Sequence, residues 1–509
     1  MSLFQKPEDF FEKRVIVMGL GLHGGGQAVA QWLYAHGVRV CITDLKKEEQ
    51  LHVSVRAVQN FCKEYSLYHP EKKVFPIEWI LGEHNQDDFV RADLIVQNPG
   101  VPYDSPYLSL ARLQGVPIEN ELTLFLSLTQ HTPSIAVTGT RGKSTTTALI
   151  HEMIRVLYPR AVCVGIAGIG GESFFSIVDN VLEQEAQGIY DPVVMEVSSY
   201  QLELFSQKSI APHIAVVTNV LADHLNRHKT LEKYASIKEN IVRFQKNSDF
   251  AIFNYDNAET HAMGKRYISG TRLWFSRLHV FQGVGAFLLP DASGNSLRRT
   301  ICIQTVDGSH EIVCSVEECA LKGEHTLENI LAAVTAAHCV GISSIHIAAA
   351  LKIFKGLPSR QEEIAHIKER IWINDTAATS PDATIAALNV LSNPHMPRII
   401  LIAGGADKDL DFTELASTIA RTVKGIIFLS GTATPRLADA IHRVGFSGDS
   451  LYVNNMHDAV QYAWKESEPG DTILLSPGCA SFGMFTHEFD RGEQFIQEVD
   501  ALRQSLEAV

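Results

Sequence analysis

The sequence contains no run of about 18 apolar residues, so no part of it reads as a membrane span. Its opening stretch, MSLFQKPEDFFEKR, lacks the apolar core of a signal peptide. Positive charge is short as well. The 44 Lys and Arg are outnumbered by 58 Asp and Glu, a formal charge of −14. That balance excludes a general nucleic-acid footprint. Any polyphosphate must be held by local cations and Mg²⁺. The eight cysteines (41, 62, 163, 302, 314, 319, 339 and 479) form no framework. Cys314 and Cys319 are near neighbours, but no second pair follows at ligand spacing, so zinc is not indicated. We read all eight as reduced thiols, mostly core fillers, in a cytoplasmic chain. What remains is ordinary globular composition over 509 residues, 45% hydrophobic and 20% charged, enough for about three domains.

The most informative stretch is SIAVTGTRGKSTTT, residues 134–147. Ser134 to Val137 reads as the end of a buried strand. A glycine turn and then a helical pattern follow. Gly139, Thr140, Arg141 and Gly142 would wrap backbone N–H groups around phosphate oxygens at a helix N-terminus. Lys143 would reach the terminal phosphates, and the Ser144 or Thr145 hydroxyl would meet Mg²⁺. The strict P-loop places glycine where Val137 stands, so the match is to a shorter form, Gly139-x-x-Gly142-Lys143-Ser144.

Upstream, Arg14–Met18 is an apolar run leading into Gly19-x-Gly21-x-x-Gly24. A helix over 27–36 and a strand over 38–43 follow, with Asp44 about twenty positions beyond the last glycine. That is the layout of a dinucleotide-binding βαβ unit. Residues 45–85 read as a helix plus a surface insertion. A strand over 92–97 ends at Asn98-Pro99-Gly100, and Glu119-Asn120-Glu121 opens a helix.

Downstream, residues 172–190 read as an acidic loop or helical insertion. PVVMEV, 192–197, reads as a buried strand with one carboxylate. A lone Glu196 there is costly unless paired or on a metal, and beside a P-loop the metal reading is preferred. A strand over 214–218 ends in Asp223-His224 and Arg227-His228. His224 is an active-site candidate, and His228 is placed at a helix start or on the surface. The two histidines are four apart, but Leu225 stands where a zinc protease needs its glutamate pattern, so that reading is rejected. An amphipathic helix over 231–244 carries Lys238 on or beside its apolar face, where pattern alone suggests a snorkelling lysine. Residues 270–320 read as β-rich, and a helix over 326–338 carries Asn329.

After a break at Gly356-Leu357-Pro358-Ser359-Arg360, strands at 371–374, 399–403, 425–430 and 471–476 alternate with helices. This implies a second doubly wound domain with ligand loops at its strand ends. The aspartates 407, 409 and 411 imitate a calcium loop, but Phe412 and Thr418 replace its glycine and glutamate.

Together the motifs resemble the Mur ligase family, ATP-dependent amide ligases of peptidoglycan precursor synthesis. They run in the family's order: Thr138-Gly139-Thr140-x-Gly142-Lys143-Ser144, then Glu196-x-Ser198-Ser199-Tyr200-Gln201-Leu202-Glu203, then Asp223-His224-x-x-Arg227-His228. Lys238, Gly323-x-His325-x-x-x-Asn329, Leu357-Pro358-x-Arg360 and Asn374-Asp375 follow. Gly404-Gly405-x-x-Lys408 and Ser476-Pro477-x-Cys479-Ala480-Ser481-Phe482 close the series. The last motif and the dinucleotide-like N-terminus point to the branch that adds D-glutamate to UDP-N-acetylmuramoyl-L-alanine.

The resemblance implies an α/β chain of three domains. Residues 1–128 would be a Rossmann-like UDP-sugar domain and 129–355 a P-loop ATP domain. Residues 356–509 would be a Rossmann-like domain for the amino acid and part of the ATP. It implies an acyl phosphate mechanism with Lys143, Glu196, His224 and Lys238 as catalytic residues. Mg²⁺, at two sites, would be held by Ser144, Glu196, His224 and Lys238 as its carbamate. ATP would meet the P-loop through Thr145, with Asn329, Arg360 and Asp375. Leu22, His23, Asp44, Lys46 and Ser198 would hold the UDP-sugar, and Thr379, Lys408, Ser481 and Phe482 the glutamate, with Phe489 less well placed. The protein would act as a cytoplasmic monomer, with no nucleic-acid partner and no membrane insertion.

Three positions depart from the family pattern. Arg141 and Gly168 each replace an asparagine, and Ala377 replaces a lysine that helps bind glutamate. L-glutamate or another acidic amino acid therefore stays open. So does a folylpolyglutamate-synthase-like ligase, which would lack the UDP site. A non-catalytic nucleotide-binding protein would not need Lys143, Glu196, His224 and Lys238 together. A nicotinamide dehydrogenase would have no use for the P-loop. The chain is expected to be longer than its family, with insertions at about 45–85, 172–190 and 285–315.

Overall fold

The structure, a computed structural model, describes residues 4–21, 24–166, 173–221, 225–290, 299–392, 398–407 and 410–507. For residues 225, 226 and 325 it describes the backbone alone. Three α/β sheets carry the chain. The first has strands β1 (Arg14–Met18), β2 (Arg39–Asp44), β3 (Glu78–Leu81), β4 (Leu94–Gln97) and β5 (Ile118–Glu119), in the order β3-β2-β1-β4-β5, all parallel. The order reverses between β1 and β4, where such sheets bind ligands.

The second sheet begins with β6 (Ser134–Thr138), β7 (Val162–Val164), β8 (Val193–Glu196), β9 (Ile214–Val217), β10 (Phe250–Asn254) and β11 (Thr271–Ser276). It ends with β12 (Gly285–Pro290), β13 (Arg299–Gln304) and β14 (His310–Ser315). Its order is β14-β13-β12-β11-β10-β9-β6-β8-β7, parallel except for the β12-β13-β14 meander. The third sheet contains β15 (Glu362–Ile367), β16 (Arg370–Asn374), β17 (Ile399–Ala403), β18 (Val423–Leu429), β19 (Asp449–Val453) and β20 (Thr472–Leu475). They run β15-β16-β20-β17-β18-β19 with only β15 antiparallel. SIAVT, IAVV and IILIA are buried along their whole length, which is why the central strands show no polar alternation.

The described residues divide into two compact units. One holds residues 1–322 and 326–354, the other 323–325 and 355–509. The first two sheets thus share a body, and they share a core. The helix Phe174–Ala186 explains this. It lies where the sequence suggested an insertion, yet Phe174, Phe175, Ile177, Val178 and Val181 are buried. The Trp32 indole N–H donates to Asp179 Oδ1 at 2.7 Å, and the Trp32 and Phe175 rings meet edge to face at 5.2 Å. Five buried apolar side chains contribute roughly 1.5–3 kcal/mol each, so this helix is core. The other two suspected insertions are likewise structural. Residues 45–85 supply the helix Glu48–Tyr68 and edge strand β3, and 285–315 supply the meander that lengthens the second sheet.

Polar contacts complete the clasp. Lys208 Nζ meets Glu119 at 2.8 Å, the Asn120 amide donates to Gln201 O at 2.8 Å, and Arg227 donates to Val101 O at 3.0 Å. His228 corrects its expected place. It ends the helix Leu225–His228 and is buried, its ring stacked on Tyr234 and its Nε2 hydrogen-bonded with Ser199 Oγ at 3.0 Å. The helix of Lys238 stops at Glu239, five residues earlier than the periodicity suggested. All eight cysteines are free, and the Cys314 and Cys319 sulfurs lie 4.0 Å apart. Among the described residues no helix is long and apolar enough to cross a membrane.

Candidate active site

The P-loop emerges from β6, between β9 and β8. The turn needs its glycines. A Cβ on Gly139 (φ +152°) would lie 1.8 Å from Thr218 Oγ1, and one on Gly142 (φ +80°) 2.0 Å from Asn329 Oδ1. Asn329, far away in sequence, therefore packs directly on the loop, on the helix Glu324–Cys339. Asn219, at the end of β9, was not anticipated. Its Oδ1 accepts the Arg141 N–H at 2.9 Å, and its Nδ2 donates to Arg141 O at 3.2 Å. It fixes the loop from below.

The helix Lys143–Ile154 begins on the loop, capped by Gly142 in the left-handed conformation. Lys143 Nζ donates to Thr140 O at 3.2 Å and lies 4.0 Å from Glu196 Oε1. Ser144 Oγ donates to Glu196 Oε2 at 2.6 Å. Thr145, one position on, is half-buried. The lone carboxylate of β8 thus closes on the P-loop hydroxyl and lysine. Two hard oxygens side by side suit Mg²⁺, which takes its remaining ligands from phosphate and water. Lys238 is 1% exposed, with Nζ donating to Gly139 O at 2.7 Å and lying 4.5 Å from the Tyr234 ring centroid. It is no snorkelling surface lysine; it touches the P-loop backbone. His224 lies outside the described residues, as do Asp223 and Gly168.

At the first sheet's switch point, Asp44 is buried. Its Oδ2 accepts the Leu20 N–H at 3.0 Å and its Oδ1 the Lys46 N–H at 2.9 Å. It braces the glycine turn from within, while the Lys46 side chain is exposed. Leu22 and His23 lie outside the described residues. Ser198 caps the short helix Ser199–Leu202, its hydroxyl donating to Gln201 Oε1 at 2.9 Å. Behind the turn, Glu121 is buried among the Ser173 hydroxyl and the N–H groups of Phe174 and Phe175. Burial, the largest influence, pushes its carboxyl above the ordinary range.

In the second unit the loops after β16, β20 and β17 adjoin. The Gly478 N–H donates to Ala378 O at 2.9 Å, Gly404 to Pro477 O at 2.9 Å, and Ala406 to Ala480 O at 2.8 Å. Thr379 and Ser481 stand on two of these loops, and Lys408 follows the third, outside the described residues. Ser481 is buried, and its hydroxyl has no hydrogen-bond partner among the described residues. Phe482 is 47% exposed beside it, and Phe489 is half-buried. Asp375 is buried; Ser476 Oγ donates to its Oδ2 at 2.7 Å and the Gln361 N–H to its Oδ1 at 3.1 Å. Burial outweighs these contacts and raises its carboxyl to about 7. Arg360, half-buried, lies next to Gln361. Beneath the loops lies Arg491, wholly buried, which sequence reading missed. Between Asp490 and Glu493 it looks like one more charge on a surface helix.

The P-loop, its metal-suited oxygen pair and the two doubly wound sheets before and after it in the chain define an ATP-using α/β enzyme. Comparison makes the class specific. Residues 13–120 match the Mur ligase MurD-like N-terminal domain, 137–337 the Mur ligase middle domain, and 359–479 the Mur ligase glutamate ligase domain. A UDP-N-acetylmuramoylalanine–D-glutamate ligase of Roseiflexus sp. (strain RS-1) is 39% identical over 495 residues, 96% of this chain and 98% of the relative. One of the same name from Alkaliphilus metalliredigens (strain QYMF) is 33% identical over 97% and 99%. The fold is also that of the UDP-N-acetylmuramate–alanine ligase from Thermotoga maritima. That structure has a TM-score of 0.58 at 20% identity, over 96% of this chain and 100% of that one. The chain belongs to the Mur ligase family, ATP-dependent enzymes that form amide bonds and use Mg²⁺.

Proposed function

We propose that this chain joins D-glutamate to UDP-N-acetylmuramoyl-L-alanine at the expense of ATP. The observation that carries the reading is the closure of Glu196 on Ser144 and Lys143, in a chain like the D-glutamate ligases over nearly its whole length. In this reading residues 1–128 hold the UDP-sugar through Leu22, His23, Asp44, Lys46 and Ser198. Residues 129–355 hold the ATP phosphates, and 356–509 hold the amino acid, with Arg360 and Asp375 on the nucleotide. The protein acts as a cytoplasmic monomer.

The γ-phosphoryl group passes from ATP to the substrate carboxylate, giving an acyl phosphate and ADP. The glutamate amine attacks the acyl carbon and loses a proton; the carbon–oxygen bond to phosphate then breaks. Lys143 leaves Thr140 O for the phosphate oxygens, where its charge counts most in the transition state. Mg²⁺ at Ser144 and Glu196, and a second ion at His224, would neutralise charge on the transferring group. Lys238, buried against Gly139, suits carbamylation: its neutral amine adds to CO₂, a C–N bond forms, and a proton is released. The carbamate would present oxygens where the ammonium stands. Ser481 and Thr379 donate to the glutamate, with Lys408 facing a carboxylate.

The test is phosphate release from ATP with UDP-N-acetylmuramoyl-L-alanine and, in turn, D-Glu, L-Glu and D-Asp. Release with D-Glu is expected, and silence with all three refutes the reading. Lys238→Ala should abolish turnover and Lys238→Arg should not restore it. Full activity in either removes the carbamate.

A further inference from the structure

Arg491 lies in the first turn of the helix Glu488–Glu507, fully buried. A buried guanidinium is costly unless its donors are met. Here they go to neutral oxygens on two different loops. Nε donates to Thr376 Oγ1 at 3.0 Å and Nη2 to Thr376 O at 2.9 Å, both on the loop after β16. Nη1 donates to Cys479 O at 3.3 Å, on the loop after β20. Thr376 Oγ1 in turn donates to Glu488 O at 2.6 Å, which ties the β16 loop to the start of the same helix. The next residue, Gly492, allows that approach: a Cβ there would lie 2.6 Å from Thr376 Cγ2. Burial lowers the guanidinium to about 10, so it remains charged at neutral pH.

We propose that Arg491 is the positioning residue of the amino-acid pocket, setting the separation between Thr379 and Ser481. The proposal rests on the reading above that these residues hold the incoming glutamate. Thr379 is three residues from Thr376, and Ser481 two from Cys479. The planar fork spans both loops at once, which a single ammonium on a flexible stem does not reproduce. The Ser481 hydroxyl, without a partner among the described residues, has its place set from below through Cys479. Arg491 touches no substrate in this account; it fixes the backbone that does.

The test uses the full chain with Arg491→Lys and Thr376→Val, singly and together, and varies each substrate in steady-state kinetics. Arg491→Lys should raise KM for the amino acid about tenfold and KM for ATP by less, since Asp375 on the same loop is read as meeting the nucleotide, with KM for the UDP-sugar within about twofold. Thr376→Val should do the same to a smaller degree. The double variant should fall short of the product of the two effects, since both break one network. Equal shifts in all three KM values, unchanged KM for the amino acid, or strict additivity would overturn the proposal. If Arg491→Lys does not fold, Thr376→Val decides by the same KM criterion. Amide hydrogen exchange separates this idea from the functional reading. In either single variant the loops 375–379 and 476–482 should exchange about tenfold faster while β18 and β19 do not. A wild type inactive with every amino acid tried, but with these loops loosened in the variants, refutes the functional reading and keeps the clamp. Loops that exchange as in wild type refute the clamp.

Discussion

The P-loop of the first unit and the acceptor loops of the second meet the demand for hydrogen bonds in opposite ways. At the P-loop every principal group already has a partner in the chain. Ser144 gives its proton to Glu196, Lys143 gives one to Thr140 O, and Lys238 one to Gly139 O. At the acceptor loops a buried serine hydroxyl has no partner among the described residues, and a buried carboxyl is held near neutrality. The first arrangement is stable when empty and must exchange partners when phosphate arrives. In the proposed reading the second is relieved when the amino acid binds, because an unmet buried hydroxyl costs about 1–3 kcal/mol.

The contrast breaks most sharply at Lys143. Lys143→Ala should lower kcat/KM for phosphate release by about 10³-fold or more, since it removes charge that acts mainly in the transition state. Melting should fall only modestly, because the side chain gives up one partly exposed hydrogen bond to Thr140 O and an ion pair with Glu196 at 4.0 Å. A variant that keeps a tenth of the activity would show that the P-loop lysine is not used as described. Ser481→Ala probes the other side. The hydroxyl has no partner among the described residues, so its removal should leave stability unchanged or raise it by up to about 1–3 kcal/mol. KM for glutamate should still rise about tenfold. A marked loss of stability would mean that the hydroxyl is satisfied after all.

Asp375 gives the gentlest test, read as pH dependence. Its folded carboxyl, near 7, lies above the ordinary value of 3.8. The folded state therefore holds an extra proton between those values. Its contribution is most favourable below about pH 4, falls as pH rises towards 7, and levels off beyond. Asp375→Asn should flatten that part of a plot of Tm against pH. An unaltered slope would mean that the titrating group lies elsewhere.

Much of this was legible in the chain because the relevant residues sit at strand ends marked by glycine. Gly139, Gly142, Glu196 and Ser481 all follow apolar runs that cannot be mistaken for loops. What escaped detection depends on burial imposed from a distance. Arg491 is flanked by charges, and only the approach of Thr376 and Cys479 makes it interior. The burial of the helix Phe174–Ala186 is hidden in the sequence because its acidic face is as plain as its apolar one. Only its packing against Trp32 shows which face matters. Strand β3 is short and half-buried at a sheet edge, so its sequence carries little pattern.

The clasp between the first two sheets also constrains how such a gene can be reshuffled. A crossover at residue 129 with a gene that lacks a cation at position 208 and an acceptor at 179 would inherit Glu119, 1% exposed, and Trp32 without their partners. The hybrid would begin with an orphaned interior charge, a defect worth about 3–5 kcal/mol. Recombination that respects this pair must carry the first two sheets together, as a single heritable cassette.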